Sequence, residues 1–245
     1  MNQPPFTLAL SSGFFGFYAH VGFLKALDEL NIKPSAYTGT SAGAIVAAAA
    51  ARGLTVKEIE SLVTGISRKE FWDPCPGLGF LRGRKMQELI AKEIGTDFNQ
   101  LKIPLRIPVY DVLSRSTKVF TSGNLPRIVR ATCSVPFMFH PVRIDRRFYL
   151  DGGIQDKMGI HGLDVNEKIL SHYLESTSRD PHSIYELKRD NQTLKARALN
   201  LIQIQLKDLP RSHPFAMDRG PQIIQNAYQK TLIELKPLVE KGLWT

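Results

Sequence analysis

Only two cysteines, Cys75 and Cys133, occur among 245 residues, so neither a disulfide framework nor a cysteine metal site can be built from them. Long apolar runs are equally scarce. The most apolar stretch, Ala42 to Ala51, is ten residues long, against about 20 for a membrane-spanning helix, which excludes a transmembrane protein. No cationic side chain precedes Lys25, so the start lacks the charged region of a secretory signal, and a cytoplasmic protein is expected. Low-complexity tracts, internal repeats and Ser/Gly linkers are missing too, and 43% of the residues are apolar. Disorder is thereby excluded, and one domain spanning 1–245 is expected. Acidic residues are in the minority: 23 Asp+Glu face 32 Lys+Arg, a net charge of +9 that favours anionic partners. The basic residues are scattered in short clusters such as Arg143, Arg146 and Arg147, without a zinc finger or an aromatic-basic RNA-binding signature. That argues against nucleic acid.

What is present is an alternation of strands and helices. Phe6 to Leu10 is a short apolar run ended by Ser11-Ser12-Gly13, as for a buried strand entering a loop. Val21, Leu24, Leu27 and Leu30 then recur at helical spacing, with Asn31 as a stop. Pro34 to Tyr37 is a second extended piece, followed by Gly39-Thr40-Ser41-Ala42-Gly43 and an alanine-rich helix closed by Arg52-Gly53. This pattern predicts an α/β protein with a mostly parallel sheet and helices on its faces. Further helices are expected over 56–64, 84–94 and Leu125 to Ala131, and strands over Pro104 to Val112, Lys118 to Thr121 and Leu199 to Leu206. Residues 176–195 read as a polar loop or exposed helix, and 217–241 as an amphipathic helix broken at Pro237. The stretch 71–81 mixes aromatics with Pro and Gly and excludes a long regular element.

Gly39-Thr40-Ser41-Ala42-Gly43 fits Gly-x-Ser-x-Gly between a strand and a strong helix. In that setting small neighbours permit a strained turn that pushes a serine hydroxyl above the sheet edge. Alternatively Ser41 is an ordinary helix cap. A serine nucleophile needs a base within reach. His161, His172, His182 and His213 qualify by chain order, and so does Asp151 of Asp151-Gly152-Gly153, which otherwise reads as a turn. The small-residue loop Ser11 to Gly16 either presents amides to an oxyanion or is a plain connection.

Taken in order, these three motifs resemble the patatin-like phospholipases. Ala19 to Leu27 looks like the helix following that family's oxyanion loop, and the run from Gly123 to Gly153 resembles the lead into its aspartate. The resemblance implies a three-layer α/β/α patatin-like fold and a Ser-Asp dyad. Ser41 would be the nucleophile and Asp151 its base, with Gly39 and Gly43 shaping the nucleophile turn and Gly152 and Gly153 the aspartate loop. Ser12, Gly13 and Phe14 would form the oxyanion hole. Acyl lipids are the implied substrates, with no cofactor and no metal. Together with the charge, this implies transient contact with an anionic membrane surface, and no defined protein partner.

One departure stands out. The family's Gly-Gly-Gly-x-Arg-Gly is here Ser12-Gly13-Phe14-Phe15-Gly16-Phe17, with Gly16 at the arginine position. Phe15, Phe17 and Trp72 line an acyl pocket or interface on one reading and pack in the core on another. Likewise 71–81 is a lid, an interfacial contact or an irregular loop. An esterase or acyltransferase on a soluble acyl donor, and a catalytically lapsed lipid-binding scaffold, are the competing functions.

Overall fold

The computed structural model describes residues 4–174, 200–210, 212–213 and 216–242. Its main sheet contains β1 (Thr7–Leu10), β2 (Ala36–Gly39), β4 (Leu105–Asp111), β9 (Ile169–Tyr173) and β10 (Leu201–Gln205), all parallel, in the order β10-β9-β1-β2-β4. Three strands add to it in antiparallel sense: β5 (Ser116–Phe120), β7 (Val142–Ile144) and β8 (Arg147–Leu150). A separate parallel pair joins β3 (Gly79–Leu81) to β6 (Phe137–Phe139). The helices are α1 (Phe17–Glu29), α2 (Ala42–Arg52), α3 (Val56–Gly65), α4 (Arg68–Phe71), α5 (Arg84–Glu93), α6 (Leu125–Thr132) and α7 (Gly220–Glu240). It is a mixed, mostly parallel sheet flanked by helices.

Alternation along β1 sorts the two faces. Leu8 and Leu10 join the large core beneath α1, α2, α6 and α7, while Ala9 joins a smaller cluster with Met158, Ile160, Leu163, Ile169 and Tyr173. Helix α2 explains the tightness of the large core. Alanine is the strongest helix former, and its small side chain lets neighbours approach from every side. Ala44 and Ala47 to Ala49 have no exposed surface at all.

The strand that organises the site is β4. β2 pairs with its start at Tyr37↔Leu105 and Thr38↔Arg106, running parallel. β8 pairs with its end at Tyr110↔Leu150 and Asp111↔Tyr149, running antiparallel. β5 takes the opposite edge, since it pairs with the same two β4 residues as β8 does. β2 and β8 therefore approach head-on along one edge and stop short of each other at Pro108. A Cβ added to Gly152 would sit 2.3 Å from Pro108 O and 2.9 Å from Thr40, which places both strand exits at that gap. Proline offers no N–H to a ladder, so the interruption leaves no donor stranded.

Several expectations are adjusted. α7 runs unbroken through Pro237; the carbonyl deprived of its helical donor belongs to Ile233, which is 70% exposed and open to water. Strand β9 was not foreseen, because Ser171 and His172 interrupt its apolar run. The 71–81 stretch contains the short strand β3 and no longer element. Residues 176–195, and His182 among them, lie outside the described residues.

Gly43 is the tightest point of the α2 entry, where a Cβ would lie 2.2 Å from Leu10 O. Gly43→Ala forces the helix off β1 at an overpacking cost of about 1–3 kcal/mol. The expected outcome is a Tm lowered by several degrees in a thermal melt, with the native circular dichroism spectrum retained at low temperature.

Candidate active site

Ser41 occupies the turn between β2 and α2 with φ 53° and ψ −123°, a conformation that L-residues seldom adopt. It stands at the cap position, yet its side chain makes no capping hydrogen bond, so the helix-cap reading is set aside. The turn is held by its main chain. Thr40 N donates to Leu10 O at 3.1 Å, and Ser41 N donates to Thr132 Oγ1 at 3.1 Å. Thr132 Oγ1 in turn donates to Pro108 O at 2.6 Å. One buried hydroxyl thus fills the gap in the β4 ladder and pins the strained serine. No spacing rule in the sequence points to Thr132.

Asp151 leaves β8 at the same gap. Its N–H donates to Ser134 O at 2.9 Å, and its Oδ1 accepts from Gly153 N at 2.7 Å. The buried Cys133 thiol makes hydrogen-bond contact with Ser41 and feels the Asp151 carboxylate. Burial first, then that charge, push its pKa well above the ordinary thiol value, with the Ser41 contact opposing. Cys133 is therefore a protonated neighbour of Ser41 and Asp151, not a thiolate nucleophile. Ser12 closes the cluster, its hydroxyl lying 2.7 Å from where a Gly153 Cβ would stand.

The oxyanion-loop expectation needs one correction. Ser12 N–H is already committed to Lys157 O at 2.7 Å, so it has no proton to offer an oxyanion. The N–H groups of Gly13, Phe14 and Ala42 have no partner among the described residues, and all three residues line the cavity that Ser41 faces. Ala42, at the start of α2, adds the helix's positive end to the set. Gly16 stands where the family has arginine, and a Cβ there would meet Leu174 Cδ1 at 2.3 Å. Leu174 occupies the space a longer side chain would require.

Among the described residues no histidine lines this cavity. His161 and His213 are exposed. His172 is buried and paired with His20, Nδ1 to Nδ1 at 2.9 Å, while His20 Nε2 lies 2.8 Å from Ser11 O. A carbonyl only accepts, so His20 carries its proton on Nε2 and its Nδ1 accepts from His172. His172 Nε2 is then a buried lone pair without a hydrogen-bond partner, its ring stacked on Phe23 at 4.3 Å. Burial lowers the His20 pKa to about 4 and drives His172 well below its ordinary value. The pair is neutral at physiological pH and holds the Ser11 end of the loop after β1; it is no general base for Ser41.

The cavity encloses about 280 Å³. Phe15, Phe17, Ile45, Trp72, Met86 and Phe139 are among its walls, and besides Ser41 and Cys133 its one ionisable side chain among the described residues is Glu93. Phe15 and Trp72 are partly buried against the core and Phe17 fully, so these rings pack on the core and line the cavity at once. Each methylene buried there would be worth about 0.8 kcal/mol. Among the described residues no cluster of His, Cys, Asp or Glu could hold a metal ion, and no helix is long and apolar enough to cross a membrane.

Fold and site together define an α/β protein with a strained strand-to-helix serine opening onto an apolar cavity. The chain belongs to the patatin-like phospholipase family, whose model matches residues 8–164. This assigns it to a family of lipid ester hydrolases. An uncharacterized NTE family protein of Mycobacterium tuberculosis is 30% identical over 162 residues, 64% of this chain and 45% of the relative. The chain thus spans under half the length of that relative. Lysophospholipase nte1 of Neurospora crassa is 25% identical over 161 residues, 62% of this chain and 11% of its own. Among solved structures, VipD from Legionella pneumophila superposes with TM-score 0.64 at 16% identity, covering 95% of this chain and 67% of that one. The type III effector ExoU of Pseudomonas aeruginosa gives TM-score 0.57 at 14% identity, covering 96% and 53%. These two share the fold.

Thr132→Val keeps the shape and removes the bridge, leaving Pro108 O and Ser41 N unsatisfied. A loss of about 1–3 kcal/mol is expected in denaturant unfolding, with reduced labelling of Ser41, while Thr132→Ser restores both. The histidine pair sets a pH dependence. Its folded pKa values lie below the unfolded value near 6.5, so the unfolded chain takes up protons first. Stability is whole above pH 6.5 and falls as pH drops toward 4, by about 3 kcal/mol from His20 alone. His20→Gln keeps a donor toward Ser11 without titrating. Unfolding titrations should give a shallower slope for that variant between pH 6.5 and 4.

Proposed function

We propose that the protein is a lipid acyl hydrolase of phospholipase A or lysophospholipase type, with residues 1–245 acting as one catalytic domain. The observation that carries this reading is the position of Ser41, strained at φ 53° on the wall of an apolar cavity, with the Asp151 loop entering the same β4 gap. The name of the Neurospora relative, a lysophospholipase, supports the same substrate class.

In this mechanism the acyl chain lies in the cavity and its ester carbonyl meets Ser41. Ser41 Oγ attacks the carbonyl carbon while Asp151 takes the hydroxyl proton. The N–H groups of Gly13, Phe14 and Ala42 stabilise the oxyanion of the tetrahedral intermediate, and their freedom from other partners suits them to it. Collapse expels the alcohol, which receives the proton from Asp151. Water, deprotonated by Asp151, then attacks the acyl carbon, and Ser41 Oγ leaves with that proton as the fatty acid is released. The substrate is met at an anionic membrane surface, to which the net charge of +9 draws the protein in a salt-dependent manner.

A fluorophosphonate probe should label the wild type and spare Ser41→Ala. Asp151→Asn should lower turnover by about 10²–10⁴-fold with the fold intact by circular dichroism. Full activity in that variant would remove Asp151 from the mechanism. Absent labelling of a folded wild type would leave the lapsed-scaffold reading, and hydrolysis confined to a short-chain p-nitrophenyl ester would favour the soluble acyl donor.

A further inference from the structure

We propose that the rim of the cavity, built from Leu78, Phe80, Phe137 and Phe14 and flanked by cations, is the face on which the protein docks to an anionic bilayer. The proposal rests on the acyl-lipid reading above and specifies where that lipid is met. Phe137 is 88% exposed, Leu78 76%, Phe14 54% and Phe80 49%. Such large apolar side chains gathered at one opening mark an interaction surface. The β3–β6 ladder brings their chains together: Gly79, next to Leu78, pairs with Phe137. Phe14 and Phe80 line the cavity itself and extend to its mouth.

The backbone is bent to present these rings. Phe137 has φ 66° and Phe15, next to Phe14, has φ 55°, values that bulky residues rarely adopt. Such strain concentrates at working surfaces. Phe139, two residues on in β6, is buried in the core, so the same short strand fixes one ring inside and holds another out.

Charge complements the apolar rim. From Arg68 to Lys85 the chain carries five cations (Arg68, Lys69, Arg82, Arg84, Lys85) and two carboxylates (Glu70, Asp73). Both carboxylates are occupied locally. Asp73 accepts from Gly83, Arg84 and Lys85 N–H at 2.8, 2.7 and 3.2 Å, and Glu70 accepts from Ser67 N at 2.8 Å. The cations are tied to the rim: Arg68 sits 5.7 Å over the Trp72 ring, which contacts Phe80, and Lys85 Nζ donates to Lys69 O at 2.9 Å. A second copy of the chain would bring two such positive rims together and be repelled. A bilayer offers hydrocarbon to the rings and phosphate to the cations, and it delivers an acyl chain into the cavity without crossing water.

The test is co-sedimentation with phosphatidylcholine vesicles, with and without phosphatidylglycerol, alongside turnover of a short-chain soluble ester. Leu78 and Phe137 do not line the cavity, so Leu78→Asp/Phe137→Asp should keep soluble-ester turnover while vesicle binding falls about tenfold or more. Lys69→Gln/Arg84→Gln should lose the preference for anionic vesicles, about tenfold. Ile233→Asp, equally exposed on α7, should bind as the wild type does. Wild-type binding by the aspartate pair, or equal wild-type binding to neutral and anionic vesicles, would overturn the proposal. So would a concentration-dependent dimer in gel filtration that the aspartate pair abolishes, since that assigns the rim to a second copy. Vesicle binding without any ester turnover would instead overturn the hydrolase reading.

Discussion

Everything at the candidate site depends on one edge of β4 being shared by two strands that run toward each other. A strand edge presents its hydrogen-bonding groups in a fixed sequence, so the points at which β2 and β8 both end are set to within a residue or two. Pro108 marks the break because it has no N–H to leave unsatisfied, and the Thr132 hydroxyl supplies the missing donor to its carbonyl. From the two sides of that break come the turn carrying Ser41 and the turn carrying Asp151. Their approach is thus a consequence of strand pairing that begins several residues away. The pairing that stabilises β4, β2 and β8 thus also places the two turns beside the same gap.

The loop from Ser11 to Gly16 is governed by a different constraint. It leaves β1 buried at Ser11 and turns into α1 while amides in its more exposed middle stay unpaired among the described residues. Its base is therefore tied down elsewhere. His20 grips the Ser11 carbonyl, Leu174 N donates to Ser11 Oγ at 2.9 Å, and Lys157 O takes the Ser12 amide. Among the described residues the loop amides left without a partner are those of Gly13, Phe14 and Phe15. An orphaned imidazole nitrogen on His172 is part of the cost of this arrangement.

How much of this was legible beforehand depends on the kind of signal each residue leaves. Gly39 to Gly43 between a strand and an alanine helix is a local pattern, and local patterns survive in a sequence; so do the small residues after β1 and the Asp-Gly-Gly triplet. Thr132 and Pro108 leave no such trace, because their role arises only when two distant segments share an edge. β9 was hidden by Ser171 and His172, whose polarity masks that both are buried, His172 against α1 and Ser171 on the opposite face of the sheet. The commitment of Ser12 N–H to Lys157 is likewise tertiary, joining residues far apart in the chain. Pro237 misled for the opposite reason: its local signal is strong, but the carbonyl it orphans faces water.

The cavity has two walls of different origin. Gly13, Ser41, Ala42, Ile45 and Cys133 come from the elements that hold the nucleophile, and little there can change without disturbing Ser41. The facing side is supplied by α3, α5 and the β3–β6 pair, through residues such as Leu62, Trp72, Met86 and Leu89. Substitutions on that side can therefore widen, shorten or reshape the apolar space while the turn that strains Ser41 keeps its geometry.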